Sequence, residues 1–375
     1  MSGPAPVKTA LGVALSVRRS SHSITIRSPG RQAEEEWQIL EPKDAEFWKV
    51  AARKLSQRTY EHNGCRISIE LDWAPLGRRI IRDHNLLIPV RTGQPTDIDW
   101  FSKLDRPLRL TAHSEIEGEN DLSKHPWYAE FFVEYYIYET FTVANLTCPG
   151  AAEFLNIAIH NTNSASVTNL RLSAFYFGDW AIESLRGAKP AAKYLSVDSA
   201  IAWFHAVNPR VTQKAENGTQ RALFTLYELC RSDGQIDFVL WLFNALESLL
   251  ATRVGENFSA VVRRASLLLQ FDHKETTTLS KRLRKLYDLR SAFVHGGYEI
   301  AHPLHREPID KRLDDDYSKL LELGIYGFSV LAALLQAMVE RNIQELCFEE
   351  RLVLPNGTPN SAVQGTPRDK AAQRP

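Results

Sequence analysis

Short runs of alternating apolar and polar residues follow one another from Ser23 to about Phe177, and they are rich in Ile, Val, Thr, Phe and Tyr. This alternation, with β-branched and aromatic side chains, predicts strands. The predicted strands are 66–73, 86–90, 108–112, 131–143, 154–159 and 170–177. One helix is predicted at 45–58, and the polar run from Asn161 to Ser164 predicts a hairpin loop. Together these elements predict an antiparallel β-rich unit, sandwich or barrel-like.

The pattern changes at the segment Arg186 to Pro190, and downstream of it apolar residues recur at helical spacing. The predicted helices are 199–206, 218–230, 235–252, 259–269, 278–295 and 314–342. The fold class expected is therefore α+β, with a β-rich part followed by an all-α helical bundle.

A chain of 375 residues is too long for one ordinary core, which favours more than one domain. We predict a β-rich recognition or sensor domain at 1–185 and a helical domain at 192–350. From Pro355 onward the sequence has almost no large apolar residue, so burial cannot offset its ordering entropy. Residues 351–375 are expected to form a disordered tail.

The composition is that of an average soluble protein, with 45 basic and 45 acidic side chains. Binding to a polyanion would therefore need a local cluster of Lys and Arg. The four cysteines lack the close spacing of a zinc or redox pair and are expected to be free thiols in a reducing cytosol. The apolar run 323–339 is too short to span a bilayer and predicts a buried core helix, so no membrane partner is expected.

The segment KRLRKLYDLRSAFVHGG places a charge on an apolar helix face. Leu279, Leu283, Leu286 and Phe293 fall on one side of a helix stepped at about 100° per residue, and Arg290 falls on the same side. A guanidinium there must be paired or solvated in a cleft, because an isolated buried charge is strongly unfavourable. Arg290 is either a structural ion-pair residue or part of a binding site.

The same helix is predicted to end at His295, because Gly296 and Gly297 follow it and glycine accepts the left-handed conformation that terminates helices. Arg290 and His295 are about 140° apart on an ideal helix. The two side chains can therefore meet on one phosphate only if the helix end unwinds or a second copy of the chain completes the site.

The helix is also basic, which makes its charged residues candidates for RNA contact. The spacing between Arg290 and His295 is by itself weak evidence for a site, because Arg79 and His84 have the same separation in the sequence. Arg79 and His84 are expected only to form a polar strand edge and turn. The usual meaning of such a charge run is a solvated face, and an aromatic residue within it is more often core. The candidate RNA contacts are Lys281, Arg282, Arg284, Lys285 and Tyr287.

A second helix offers a counter-ion. The run FVLWLFNALESLL is apolar on nearly all sides, and Asn244 and Glu247 lie three residues apart on its narrow polar strip. These two side chains could orient Arg290 or hold His295 in one tautomer. The alternative is that Glu247 reaches solvent or makes a purely structural ion pair.

The two helices WLFNALESLL and LYDLRSAFVHGG, about forty residues apart, resemble the HEPN superfamily and in particular its ApeA-like branch. The resemblance covers roughly 193–350. It implies a metal-independent ribonuclease without a cofactor, whose motif maps onto Arg290, Ser291 and His295, with Glu247 as the acidic residue of the earlier helix. It also implies a homodimer formed through the helical domain, in which two motifs line one cleft.

The resemblance further implies an RNA or nucleotide partner, a cytoplasmic location and a role as a toxin or in anti-phage defence. In the expected reaction the 2′-hydroxyl attacks the adjacent phosphate and leaves a 2′,3′-cyclic phosphate. His295 would transfer the proton, Arg290 would stabilise the developing charge and Ser291 would bond the phosphate. The alternative is a non-catalytic module that binds a nucleotide or another protein.

Overall fold

The computed structural model describes residues 17–27, 36–94, 106–161, 167–232, 236–252, 258–302, 304 and 310–349. The strands are β1 (Val17–Arg27), β2 (Gln57–His62), β3 (Cys65–Leu71), β4 (Leu108–Glu117), β5 (Phe154–Asn161) and β6 (Val167–Leu172). The helices are α1 (Trp37–Lys54), α2 (Ala74–Arg91), α3 (Pro126–Thr147), α4 (Phe175–Leu185), α5 (Val197–Val207), α6 (Gly218–Arg231), α7 (Ile236–Leu249), α8 (Phe258–Leu269), α9 (His273–Val294) and α10 (Arg312–Arg341). The predicted α+β class is confirmed.

The six strands form one antiparallel sheet in the order β2-β3-β4-β1-β5-β6. Strand β1 lies inside the sheet, where it pairs with β4 from Val17 opposite Glu117 and with β5 from His22 opposite Asn161. The β2–β3 hairpin turns at Asn63 and Gly64, whose φ angles are 50° and 79°. Two positive φ angles match the right-handed twist of the strands they join.

The two faces of the sheet differ in polarity. Side chains such as Ile24, Ile67 and Ala112 are completely buried on the face that packs against helices. The opposite face is polar, and an open cleft of about 710 Å³ borders it. The layer that covers the sheet is thus helical, where the sequence pattern had suggested a second sheet or a closed barrel.

Three predicted strands were wrong in whole or in part. Residues 131–143 lie within α3, 86–90 lie within α2, and the end of 170–177 begins α4. The cause is clearest for α3, where 16 of 22 residues are buried. A helix packed on nearly all sides loses the polar face that reveals helical periodicity, and its aromatic and β-branched side chains then favour a strand.

Two smaller predictions in this half were also wrong in whole or in part. The helix predicted at 45–58 is α1, which begins at Trp37, ends at Lys54 and leaves Arg58 in β2. Arg79 and His84 lie on α2, where strand-edge and turn positions were expected. Arg79 donates from Nε to Asp83 at 2.5 Å, and the His84 ring lies 2.7 Å from a Glu41 carboxylate oxygen. Both residues are explained by these structural pairs.

The six helices predicted downstream are confirmed as α5 to α10, with ends that differ by at most five residues. The run 323–339 belongs to α10. The stretch Asp316–Arg341 is long and apolar enough to cross a membrane, but 83% of its most apolar 18 residues are buried inside the fold. It is the core helix that its length predicted. Cys65, Cys148, Cys230 and Cys347 are free cysteines, and only Cys347 is exposed.

One continuous hydrophobic cluster joins both halves of the chain. Helix α3 packs on the sheet through Phe132 and reaches α4 through Phe141. Gln336 of α10 donates from Nε2 to the carbonyl oxygens of Leu146 and Lys193, both at 2.8 Å. The division at 186–190 falls between α4 and α5 and stays a prediction, and the tail 351–375 lies outside the described residues.

Candidate functional site

Helix α9 carries the sequence-predicted motif, and both of its ends are fixed by hydrogen bonds. Asp272 accepts from the backbone N–H of Glu275 at 2.7 Å, and Glu275 in turn accepts from the N–H of Asp272. At the other end Gly296 has a φ of 76°, and the N–H of Gly297 bonds the carbonyl of Ala292 at 2.7 Å. This is the glycine-terminated end that the sequence predicted. His295 is consequently the exposed cap residue of the helix.

Arg290 pairs with Glu247, which is one of the arrangements that the sequence left open. Its Nη1 lies 3.4 Å from the Oε1 of Glu247, and the two side chains are 32% and 35% exposed. The guanidinium carbon also lies 5.7 Å from the ring centroids of both Phe243 and Tyr287. Because a pair this exposed stabilises a protein by less than about 1 kcal/mol, Arg290 could exchange its carboxylate for an incoming anion at small cost.

Phe243 is a contributor to this site that sequence reasoning missed. Its ring is buried and contacts Arg290 and Tyr287, the latter at 5.5 Å between centroids. The sequence could have indicated this contact, because Phe243 lies four residues before Glu247 and therefore on the same face of α7. The ring holds the guanidinium from one side while Glu247 holds it from another.

Asn244 does not join this arrangement. Its Oδ1 accepts a hydrogen bond from the hydroxyl of Thr225 on α6 at 3.2 Å. Over the described ranges no hydrogen bond links Asn244 to Arg290 or His295. The structure thus brings Glu247 to Arg290 and gives Asn244 a different neighbour, so the orienting role expected of Asn244 has no contact to support it.

His295 remains separate from Arg290 within one chain. Its backbone N–H bonds the carbonyl of Ser291 at 3.0 Å, so the last turn is intact. In the part of the chain that is described, its ring has no hydrogen bond or ion pair with Arg290 or Glu247. Of the two ways in which Arg290 and His295 could meet, unwinding of the helix end is therefore not observed. A second copy is the remaining way.

The basic residues of α9 divide between two sides of the helix. Arg282 faces α10, where it lies 3.8 Å from Glu322 and 4.7 Å from the ring centroid of Tyr326. Arg284 faces α8, where its guanidinium lies 4.1 Å from the ring centroid of Phe258. Lys281 and Lys285 are exposed. The run is therefore not one continuous basic face.

Tyr287 packs in an aromatic cluster with the buried rings of Phe243 and Phe258, at centroid distances of 5.5 and 5.4 Å. The guanidinium groups of Arg284 and Arg290 approach its ring at 5.6 and 5.7 Å. Tyr287 is half-buried. In the structure its ring thus lies close to two guanidinium groups, and stacking on a base stays a prediction.

Among the residues that the structure describes, no group of three or more His, Cys, Asp or Glu side chains could hold a metal ion. Comparisons of the chain with protein-family models, with curated proteins and with solved structures find no match.

Proposed function

We propose that the chain is a metal-independent endoribonuclease of the HEPN type, located in the cytoplasm, with a toxin or anti-phage defence role. The observation that carries the proposal is a partly exposed guanidinium, that of Arg290, on the helix whose glycine-terminated end carries an exposed histidine, His295. An arginine that can take up a phosphate and a histidine that can move a proton are the two groups that RNA cleavage by its own 2′-hydroxyl needs.

In this reaction the 2′-oxygen attacks the adjacent phosphorus, and the 5′-oxygen of the next nucleotide leaves. His295 transfers the proton, either from the attacking oxygen or to the leaving oxygen. Arg290 stabilises the added negative charge of the phosphorane, since it gives up Glu247 and takes two phosphate oxygens in its place. Ser291 directly follows Arg290 and donates its hydroxyl to the phosphate. No cofactor takes part in these steps.

The cleft is formed by a homodimer in this proposal, because one chain does not bring His295 to Arg290. Apolar side chains near His295 support an interface there. Val294, Ile300 and Leu304 are 59%, 78% and 82% exposed. Burying them against a second copy would remove apolar surface from water.

The first test is cleavage of total RNA by the purified protein in the presence of EDTA, with analysis of the product ends. We expect 2′,3′-cyclic phosphates. His295→Ala should slow cleavage by about 100- to 10,000-fold, the usual contribution of a positioned proton-transfer group. His273→Ala is the matched control, because His273 is an exposed histidine at the opposite end of the same helix. Equal loss in both variants, or no loss in either, would remove His295 from the mechanism.

The second test asks whether two chains share a site. Inactive Arg290→Ala and inactive His295→Ala proteins are mixed under conditions that exchange subunits. If the arginine of one protomer works with the histidine of its partner, half of the sites in a mixed dimer are complete, and activity returns. A mixture that stays inactive although the subunits have exchanged contradicts the shared cleft.

A specific observation favours a second candidate, a non-catalytic module that binds an RNA or nucleotide phosphate or a protein. Glu247 already neutralises Arg290, and His295 lies apart from both within the described chain. Such a module would bind RNA at moderate salt, would lose binding in Arg290→Ala and would give no cyclic-phosphate ends. The cleavage assay separates the two candidates.

A further inference from the structure

A cavity of about 280 Å³ lies between α3, α5 and α6, away from the motif of α9. Aromatic rings form much of its wall: Phe131, Tyr135, Tyr138, Phe204, Phe224 and Tyr227. Tyr138 and Tyr227 meet edge to face, with centroids 4.8 Å apart. Aromatic ring faces carry partial negative charge and attract cations within about 6 Å.

The charged groups of the wall are mostly acidic. Glu134, Glu139 and Glu228 line the cavity together with one cation, Arg231. Two of the three carboxylates already have partners. Glu139 lies 3.0 Å from Arg58 and 2.7 Å from the His205 ring, and the partly exposed Glu228 lies 3.5 Å from Arg231.

Glu134 is the carboxyl without a compensating charge. No ion pair joins it to a cation among the residues described, and the neutral hydroxyl of nearby Thr168 donates to Glu130 at 2.5 Å. Burial, with a contribution from Glu130 one turn earlier, raises the pKa of Glu134 to about 7. A carboxyl held partly out of water without a cation is unfavourable in its charged form, and a bound cation would remove that cost.

A neutral acceptor in the same wall also lacks a partner. The hydroxyl oxygen of Thr212 is buried and has no hydrogen bond within the described chain. Buried polar groups are normally satisfied, so a donor bound in the cavity would complete the hydrogen bonding of Thr212. An N–H donor would satisfy Thr212, and a positive charge would compensate Glu134.

We propose that this aromatic cavity binds a free primary aliphatic ammonium ion, such as one end of a small diamine. Ring faces surround its charge, Glu134 pairs with it, and its N–H groups donate to Glu134 and to the hydroxyl of Thr212. The volume is close to the lower end of the roughly 300 to 1,000 Å³ typical of small-molecule sites, which suits a short aliphatic chain. A quaternary ammonium has no N–H and would leave Thr212 unsatisfied. This site is independent of the ribonuclease proposal.

Isothermal titration calorimetry of the full-length protein with butylammonium and 1,4-diaminobutane tests the site. Both should bind saturably, 1-butanol should not bind, and tetramethylammonium should bind more weakly than butylammonium. Glu134→Gln and Thr212→Val should each weaken butylammonium binding, by on the order of ten-fold for the lost charge. Glu61→Gln, an exposed carboxylate on β2, is the control and should bind as the unmodified protein does.

Three results would overturn the proposal: no saturable binding of either amine at concentrations on the order of 10 mM, equal binding of butanol and butylammonium, or undiminished binding by Glu134→Gln. Circular dichroism of each variant establishes that it is folded. Thr212→Val changes a loop residue outside the helices. Butylammonium binding by this variant therefore still tests the proposal if Glu134→Gln does not fold.

Discussion

Replacing Gln336 with methionine removes three hydrogen bonds while nearly preserving the shape of the side chain. Gln336 is 1% exposed. It donates to the carbonyl oxygens of Leu146 and Lys193, and its Oε1 accepts from the N–H of Lys193 at 3.0 Å. The side chain therefore ties the end of α3 to the segment before α5 and to α10.

The expected loss of unfolding free energy is about 3 kcal/mol, from roughly 1 kcal/mol for each hydrogen bond. Within the described part of the chain, the backbone groups left behind have no other hydrogen-bond partner, and a buried unpaired group can raise the loss further. A protein of ordinary stability, about 5 to 15 kcal/mol, survives a loss of this size. The variant should therefore fold and can be measured.

Urea unfolding is followed by tryptophan fluorescence and by circular dichroism at once. Gln344→Met is the matched control, because Gln344 is exposed and its Nε2 bonds only atoms of nearby Asn342, the carbonyl at 2.9 Å. The control should change stability by less than about 0.5 kcal/mol. If Gln336→Met lies within about 1 kcal/mol of the control, the three bonds do not contribute as argued. Separate transitions by the two probes would support the predicted division into domains.

Three further predictions concern stability. A double-mutant cycle of Glu247→Gln and Arg290→Gln should give a coupling below about 1 kcal/mol, because both side chains are about one-third exposed; a much larger value would mean that the pair is effectively buried. Gly296→Ala should destabilise by about 1 kcal/mol through its φ of 76°, and Gly297→Ala, whose φ is not in that region, by less when both are unfolded thermally. Because the pKa of Glu134 is raised to about 7, the native state holds that proton more tightly than the unfolded chain does, and the free energy of unfolding should fall as the pH rises from about 4.5 to about 7. The urea midpoints of Glu134→Gln should not show this dependence on pH. The same dependence in the variant would contradict the assignment to Glu134.

Local signals accounted for most of the helical half. Gly296 and Gly297 end α9 because the conformation they adopt is local, and Leu279, Leu283 and Leu286 are completely buried because helical periodicity alone assigns their face. Phe293, at the end of the same stripe, is only half-buried and contacts Tyr298. The apolar stripe fades where the helix leaves the bundle.

What the sequence could not supply depends on neighbours distant in the chain. Asn244 bonds Thr225 because α6 lies beside α7, and no spacing rule places those two helices together. The strand prediction for α3 failed for a related reason. This helix is packed on nearly every side, so it has no polar face from which helical periodicity could be recognised. The Arg290–Glu247 pair was predictable because each residue was conspicuous on its own helix: a cation on an apolar stripe and an acid on a narrow polar strip.

Helix α3 packs against both the sheet and the helical bundle. Toward the sheet side, Trp73 donates to the hydroxyl of Tyr136 at 2.7 Å, and toward the bundle, Thr142 donates to the hydroxyl of Tyr227 at 3.0 Å. Cutting the chain at 186–190 would remove α3 from the bundle and expose apolar surface on α5 and α10 to water. A fragment meant to isolate the α9 motif should therefore start before Pro126, so that the bundle keeps the helix it packs against.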